Sequence, residues 1–200
     1  MSRPLVLVVA LSWLLAHPLA AQRELSLLGL TGNAAGHARA DADPDRPTIA
    51  PDHPAAWQLG VAHDRGPWRA ALLLRHAQAD LAIRGTQSAV ITRDAIRSWR
   101  VGVEVGPRVA GAPGGATVHL LTGIAAARTT FPVTGGDPRT VVVGLLAVLG
   151  QVSVTPRWAV VVRGEGGIGG ALFDADELPP GYAVRAGREW SLGVGLGWRP

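Results

Sequence analysis

The sequence predicts an all-β protein, an eight-stranded antiparallel up-and-down transmembrane β-barrel. Three observations carry that prediction. Apolar residues alternate with polar or small ones along several segments, the links between segments are alternately long and short, and the tryptophans sit toward segment ends on the apolar face. Composition agrees. Gly contributes 26 and Pro 15 of the 200 residues, a turn-rich balance that disfavours a helical bundle. Hydrophobic residues at 48% and charged residues at 17% exclude disorder for most of the chain.

The first element is an export signal. Arg3 supplies a positive start, Pro4 to Ala16 is an uncharged apolar run, and Leu19-Ala20-Ala21 offers a small-residue cleavage site before Gln22. The run is shorter than the roughly 20 residues a spanning helix needs. Residues 1–21 are therefore expected to be a cleaved signal peptide and 22–200 the barrel domain. The chain contains no cysteine, which excludes a lipoprotein anchor, disulfides, thiolate metal sites and a cysteine nucleophile. It also contains no lysine, which removes Schiff-base chemistry and the lysine of a phosphate-binding P-loop.

Strands are expected at 24–31, 55–64, 67–84, 94–108, 116–129, 139–154, 157–170 and 187–199. The last is the clearest: Trp190, Leu192, Val194, Leu196 and Trp198 share one face, Glu189, Ser191, Gly193, Gly195 and Gly197 the other. Trp99, Val101, Val103 and Val105 alternate in the same way with Arg100, Gly102, Glu104 and Gly106. Trp68, Ala70, Leu72 and Leu74 alternate with Arg69, Ala71, Leu73 and Arg75. Trp57, Leu59 and Val61 oppose Gln58, Gly60, Ala62 and Asp64, and Trp158, Val160 and Val162 oppose Ala159, Val161, Arg163 and Glu165. The fifth and sixth strands are more uniformly apolar but rich in Gly and β-branched residues. Between strands, a polar stretch from Gly32 to Pro54 is followed by the tight Arg65-Gly66. Longer and shorter links then alternate, down to Thr155-Pro156 and the long Ala171 to Ala186. Tight turns on one rim and loops on the other give this rhythm.

The tryptophans fix the expected solvent of the apolar face. Trp190 and Trp198 lie eight residues apart, roughly 26 Å along a strand and about 20 Å across a membrane once the strand tilts. An indole combines an apolar ring with an N–H that seeks water or headgroups, so it favours membrane interfaces. Trp68, Trp158 and Trp198 are expected to form the periplasmic girdle, and Trp57, Trp99 and Trp190 the outer one.

With these residues in place, the chain resembles the small outer-membrane β-barrels of the OmpA/OmpX-like superfamily over essentially its whole expected mature length. The resemblance implies residence in the bacterial outer membrane, contact with outer-membrane lipid and lipopolysaccharide, and insertion by the barrel-assembly machinery. Family members usually end on an aromatic residue, whereas here Trp198 is followed by Arg199-Pro200.

If the apolar face meets lipid, the other face fills a lumen just wide enough for side chains. Arg69, Arg75, Arg100, Arg108, Arg163, Glu104, Glu165, Glu189, Asp64 and Gln58 then point inward. Buried charges must pair, and these signs are mixed enough to form an ion-pair ladder that plugs the barrel. The glycines of the last strand leave room for long arginines.

Other chemistries find little support. His37 and His53 share the first long link with Asp41, Asp43, Asp45 and Asp52, which reads as a hydrated surface rather than a metal site. His63, His76 and His119 are not followed by serine in a His-x-Ser arrangement. Asp174, Asp176 and Glu177 suggest at most a weak divalent-cation site. Gly164 to Gly170 lacks a lysine and a following helix, and the arginines form no tract, so nucleotide and nucleic-acid binding are not expected. The expectation is a non-enzymatic envelope barrel without cofactor or metal, whose long links Gly32–Pro54 and Ala171–Ala186 meet any extracellular partner. The alternatives are a soluble exported lipocalin-like barrel holding an apolar ligand and, less favoured, a lipid-modifying barrel enzyme.

Overall fold

Alternation winds the chain into a closed cylinder. A computed structural model describes residues 22–40, 48–84, 89–133, 135–175, 178 and 180–200. The expected signal peptide lies outside the described residues. The eight strands are β1 (Gln22–Ala40), β2 (Thr48–Arg65), β3 (Trp68–Arg84), β4 (Ala89–Gly111), β5 (Ala116–Thr130), β6 (Arg139–Ser153), β7 (Trp158–Gly169) and β8 (Tyr182–Trp198). Each pairs antiparallel with its sequence neighbours, and β1 pairs with β8 from Leu25↔Trp198 to Ala40↔Tyr182, closing the sheet. Closure leaves no unpaired strand edge, which an apolar solvent would not tolerate.

The cylinder is apolar outside and charged inside. Val142 is 68% and Leu192 58% exposed, whereas Arg163 and Glu24 are each 1% exposed. A water-soluble lipocalin-like barrel needs the reverse, so the soluble alternative is corrected: its Val/Leu/Trp face would be an interior, and here that face is the exterior.

The predicted strand cores and their inward and outward faces are those observed, but several strands are longer. Gly32–Ala40 belongs to β1 and Thr48–Pro54 to β2, so only 41–47 separates them. Likewise β4 begins at Ala89 and β8 at Tyr182. The link Gly32–Pro54 is therefore largely barrel wall, whereas Ala171–Ala186 gives only Tyr182–Ala186 to β8. Strands of 12 to 23 residues exceed the roughly 9–11 that cross a bilayer, and the excess projects at the end opposite the tight turns. At the tight-turn end, Gly66 takes φ 60° in the two-residue β2–β3 connection, where a hairpin requires positive φ.

A bulge shapes the opposite rim. Asp94 adopts φ 51° and its amide N–H donates to Asp80 Oδ1 at 2.9 Å. The β3–β4 register shifts between Ala79 and Leu81, and Ala95 and Ile96 are both buried as a result. Ile96 then joins Ala79, Leu81, Phe131 and Leu172 in an apolar cluster inside that mouth. A second cluster, which includes Leu28, Leu121, Leu149 and Val161, fills part of the lumen toward the tight-turn end.

Candidate functional site in the barrel lumen

Two layers of charge cross the lumen. The central layer is built on Arg163 of β7. Its Nη1 and Nη2 donate to the two carboxylate oxygens of Glu104 on β4, at 3.0 and 2.7 Å, and its Nε donates to Glu165 at 2.7 Å. Glu165 is shared with Arg75 of β3, whose Nη1 also lies 3.4 Å from Ser191 Oγ of β8. Arg100 of β4 pairs with Glu189 of β8. Three arginines thus meet three glutamates from β3, β4, β7 and β8, and the layer is neutral. The two-pronged Arg163–Glu104 contact uses the planar fork that makes arginine the usual choice for such pairs.

The second layer lies at the tight-turn end. Arg69 Nη2 donates to Glu24 at 2.7 Å, and its Nη1 lies 3.1 Å from both oxygens of Asp64. Glu24 also accepts from Gln151 at 2.5 Å and from Arg199 Nε at 3.0 Å. Arg199 reaches Ser153 as well, at 3.0 Å. Two arginines meet two carboxylates, and this layer too is neutral. Arg199, past the end of β8, turns a cation back into the lumen.

Inward glycines make this crowding possible. A Cβ at Gly167 would stand 2.8 Å from the Glu189 carboxylate, and one at Gly197 3.0 Å from Glu24 Cδ. At Gly195 a Cβ would stand 1.9 Å from the Leu27 carbonyl oxygen, so glycine is required where β1 and β8 close the barrel.

Most of the residues expected to point inward take part in these contacts, and Gln58 and Arg108 do not. Arg69 lies in the tight-turn layer, and Arg75, Arg100, Glu104, Arg163, Glu165 and Glu189 form the central one. Gln58 is buried and Arg108 half-buried. Sequence reasoning missed Glu24, Gln151, Ser191 and Arg199 as contributors. Outside the barrel, Trp57, Trp68, Trp99, Trp158 and Trp190 are exposed and Trp198 half-exposed. Trp158 pairs with Trp198 in register beside the tight-turn rim, where Trp68 also lies. Trp57 and Trp99 flank His76 in a cross-strand row, with ring centroids 5.4 Å apart and planes at 83°. Trp190 faces out on β8.

Of the acidic groups considered for cation binding, Asp174 pairs with Arg139 at 2.8 Å. Asp41, Asp43, Asp45, Asp176 and Glu177 lie outside the described residues. Among the described residues, no group of three or more histidine or acidic side chains is placed to hold a metal ion.

No protein-family model matches the sequence, and no curated protein matches it. Solved structures do. Neisserial surface protein A is 9% identical, covers 90% of this chain and 99% of its own, and superposes with a TM-score of 0.63. The attachment invasion locus protein Ail of Yersinia pestis (13% identical, 89% and 97% covered) and the outer membrane protease OmpT of Escherichia coli (9%, 90% and 96%) superpose more loosely, with TM-scores of 0.38 and 0.36. The fold is that of the small bacterial outer-membrane β-barrels, and the apolar exterior is the surface such a barrel presents to lipid.

Proposed function

We propose that this chain is an integral outer-membrane barrel that is closed to diffusion and non-catalytic, and that it serves the envelope as a structural and surface-interaction protein. The observation that carries the reading is Arg163, 1% exposed and joined across the lumen to Glu104 and beside it to Glu165. An arginine held by three charge-assisted bonds in the middle of an eight-stranded lumen leaves no continuous water path, because the interior is only wide enough for side chains. The tight-turn layer around Glu24 and Arg69 closes the barrel a second time.

On this reading, residues 1–21 direct export and are removed, the barrel-assembly machinery inserts the remainder, and the six tryptophans anchor it at the two lipid interfaces. Lipid and lipopolysaccharide surround the wall. Any extracellular partner meets the projecting ends of the strands and the links 131–138 and 170–181 between them. The absence of catalysis is supported by the occupation of the buried carboxylates and arginines, each spent on an ion pair rather than poised beside a nucleophile.

Planar-bilayer recording tests the closed lumen. The wild-type protein should show no sustained conductance, and discrete channels should open only when Glu104→Ala and Arg163→Ala are combined with Glu24→Ala and Arg69→Ala, which remove the second layer as well. Steady conductance by the wild type would overturn the plug.

A further inference from the structure

Above the central ion pairs the lumen is not filled. A cavity of about 100 Å³ lies between Arg75, Arg100 and Glu189 on one side and Leu172 of the apolar mouth cluster on the other. Its walls between these levels include Ala77, Ala127, Val141 and Val143. Two features of this space point to a ligand.

The first is charge. Arg75, Arg100 and Arg188 line the cavity against a single acidic residue, Glu189. The second is unused hydrogen-bonding capacity. Arg75 and Arg100 are 7% and 9% exposed, yet the Nε of each has no hydrogen-bond partner among the described residues, while Arg100 Nη1 touches Glu189. Buried guanidinium N–H groups are ordinarily satisfied, and leaving one unmet is costly. A guanidinium matches a carboxylate in shape and charge. The walls, in contrast, are mostly apolar, with Asn33, Gln78, Ser98 and Thr129 as polar exceptions, and favour an apolar body. Size sets the rest. An apolar cavity of 150 Å³ holds the six heavy atoms of benzene, so about 100 Å³ holds on the order of four, with room for about two more where the Glu189 carboxylate now sits.

We propose that the outer half of the lumen is a binding pocket for a short-chain aliphatic monocarboxylate. The carboxylate is received by Arg100 and Arg75, and the alkyl chain lies against Val141, Val143 and Leu172. Glu189 is the built-in competitor: its side chain is 29% exposed and holds Arg100 in the absence of ligand. Ligand entry displaces the Glu189 carboxylate from Arg100, so binding leaves the Arg163–Glu104 pair below intact.

The test uses the protein folded in detergent micelles, with carbonyl-labelled butyrate as the probe and its carbon-13 line width as the readout. Folding of every variant is verified by its mobility shift on boiling. Wild-type protein should broaden the butyrate resonance saturably, and inorganic phosphate, which has no apolar body, should compete poorly. Arg100→Gln should weaken binding by about ten-fold or more, the loss expected for charge-assisted hydrogen bonds. Ala127→Leu, which fills the cavity without altering a charge, should abolish it. Glu189→Gln, which removes the competing carboxylate, should tighten it. The proposal is overturned if folded wild-type protein shows no saturable binding, if phosphate binds as well as butyrate, or if binding persists unchanged in both Arg100→Gln and Ala127→Leu.

Discussion

Glu104→Ala is the most informative single substitution in the lumen. In the native barrel Glu104 is 5% exposed and accepts both Nη1 and Nη2 of Arg163 at 3.0 and 2.7 Å. Truncation removes two charge-assisted hydrogen bonds and leaves three buried arginines facing two glutamates. Arg163 retains only its bond to Glu165, which Arg75 also claims. Breaking a buried pair from one side costs about 3–5 kcal/mol, whereas an exposed pair is worth about 0–1 kcal/mol. The two cases are well separated. Urea unfolding in lipid vesicles, followed by the fraction of protein that keeps its compact mobility on an unboiled gel, measures the cost. Removing both charges, with Glu104→Ala and Arg163→Met together, should restore much of the loss, because no unpaired charge then remains. A cost for Glu104→Ala below about 1 kcal/mol, or a double variant no better than the single, would refute the reasoning.

Three further outcomes follow from the same geometry. Val194→Arg, on the exposed face of β8, should cost about 2–4 kcal/mol near the bilayer midplane and slow insertion into vesicles; insertion at the wild-type rate would contradict a lipid-facing wall. Arg199→Ala should loosen the tight-turn end by about 1–3 kcal/mol through loss of its bonds to Glu24 and Ser153, read as a lower temperature at which the compact gel form disappears. Gly195→Ala should block closure of β1 on β8, since its Cβ would meet a backbone oxygen at 1.9 Å, while Gly29→Ala, with nothing within 4 Å, should be tolerated; equal yields of folded barrel from the two would count against the β1–β8 seam.

Much of the barrel was legible because a membrane imposes a sharp contrast on successive residues. Where one face of a strand meets lipid and the other a charged lumen, alternation is strict, as in Trp190 to Trp198 and Trp99 to Val105. Beyond the lipid band the outer face no longer meets lipid and the inner face is partly apolar, as at Ile96, Phe131 and Leu172, so the contrast fades and the alternation lapses. That is why Gly32–Ala40 and Thr48–Pro54 read as a link: Asp52 with Pro51 and Pro54 carries no period-two signal, and the proline positions coincide with a shift of the β2–β3 register between Asp52 and Ala55. The Asp94 bulge was equally hidden, because it depends on a contact with Asp80 across the sheet.

The lumen residues divide along the same line. Arg69, Arg100 and Arg163 stand on strongly alternating strands, so their side was evident. Glu24 was missed because β1 carries leucine on both faces, Leu25 and Leu27 outward and Leu28 and Leu30 inward, which blurs its parity. Gln151 sits on a uniformly apolar strand, and Arg199 lies past the last strand, where no periodicity reaches. The cavity above Arg100 had no sequence signature at all, since its walls, from Ala77 and Ala127 to Val141 and Leu172, come together only on closure.

A closed barrel whose apolar face meets lipid and whose charges pair inside folds only where lipid or detergent covers that face. Residues 22–200, diluted from denaturant with and without detergent micelles and run boiled and unboiled on an SDS gel, test that requirement directly. The chain should fold only with micelles present, and the unboiled sample should migrate apart from the boiled one, as an SDS-resistant barrel does. Folding in plain buffer with no change of mobility on boiling would contradict it and would turn the Val/Leu/Trp face into an interior.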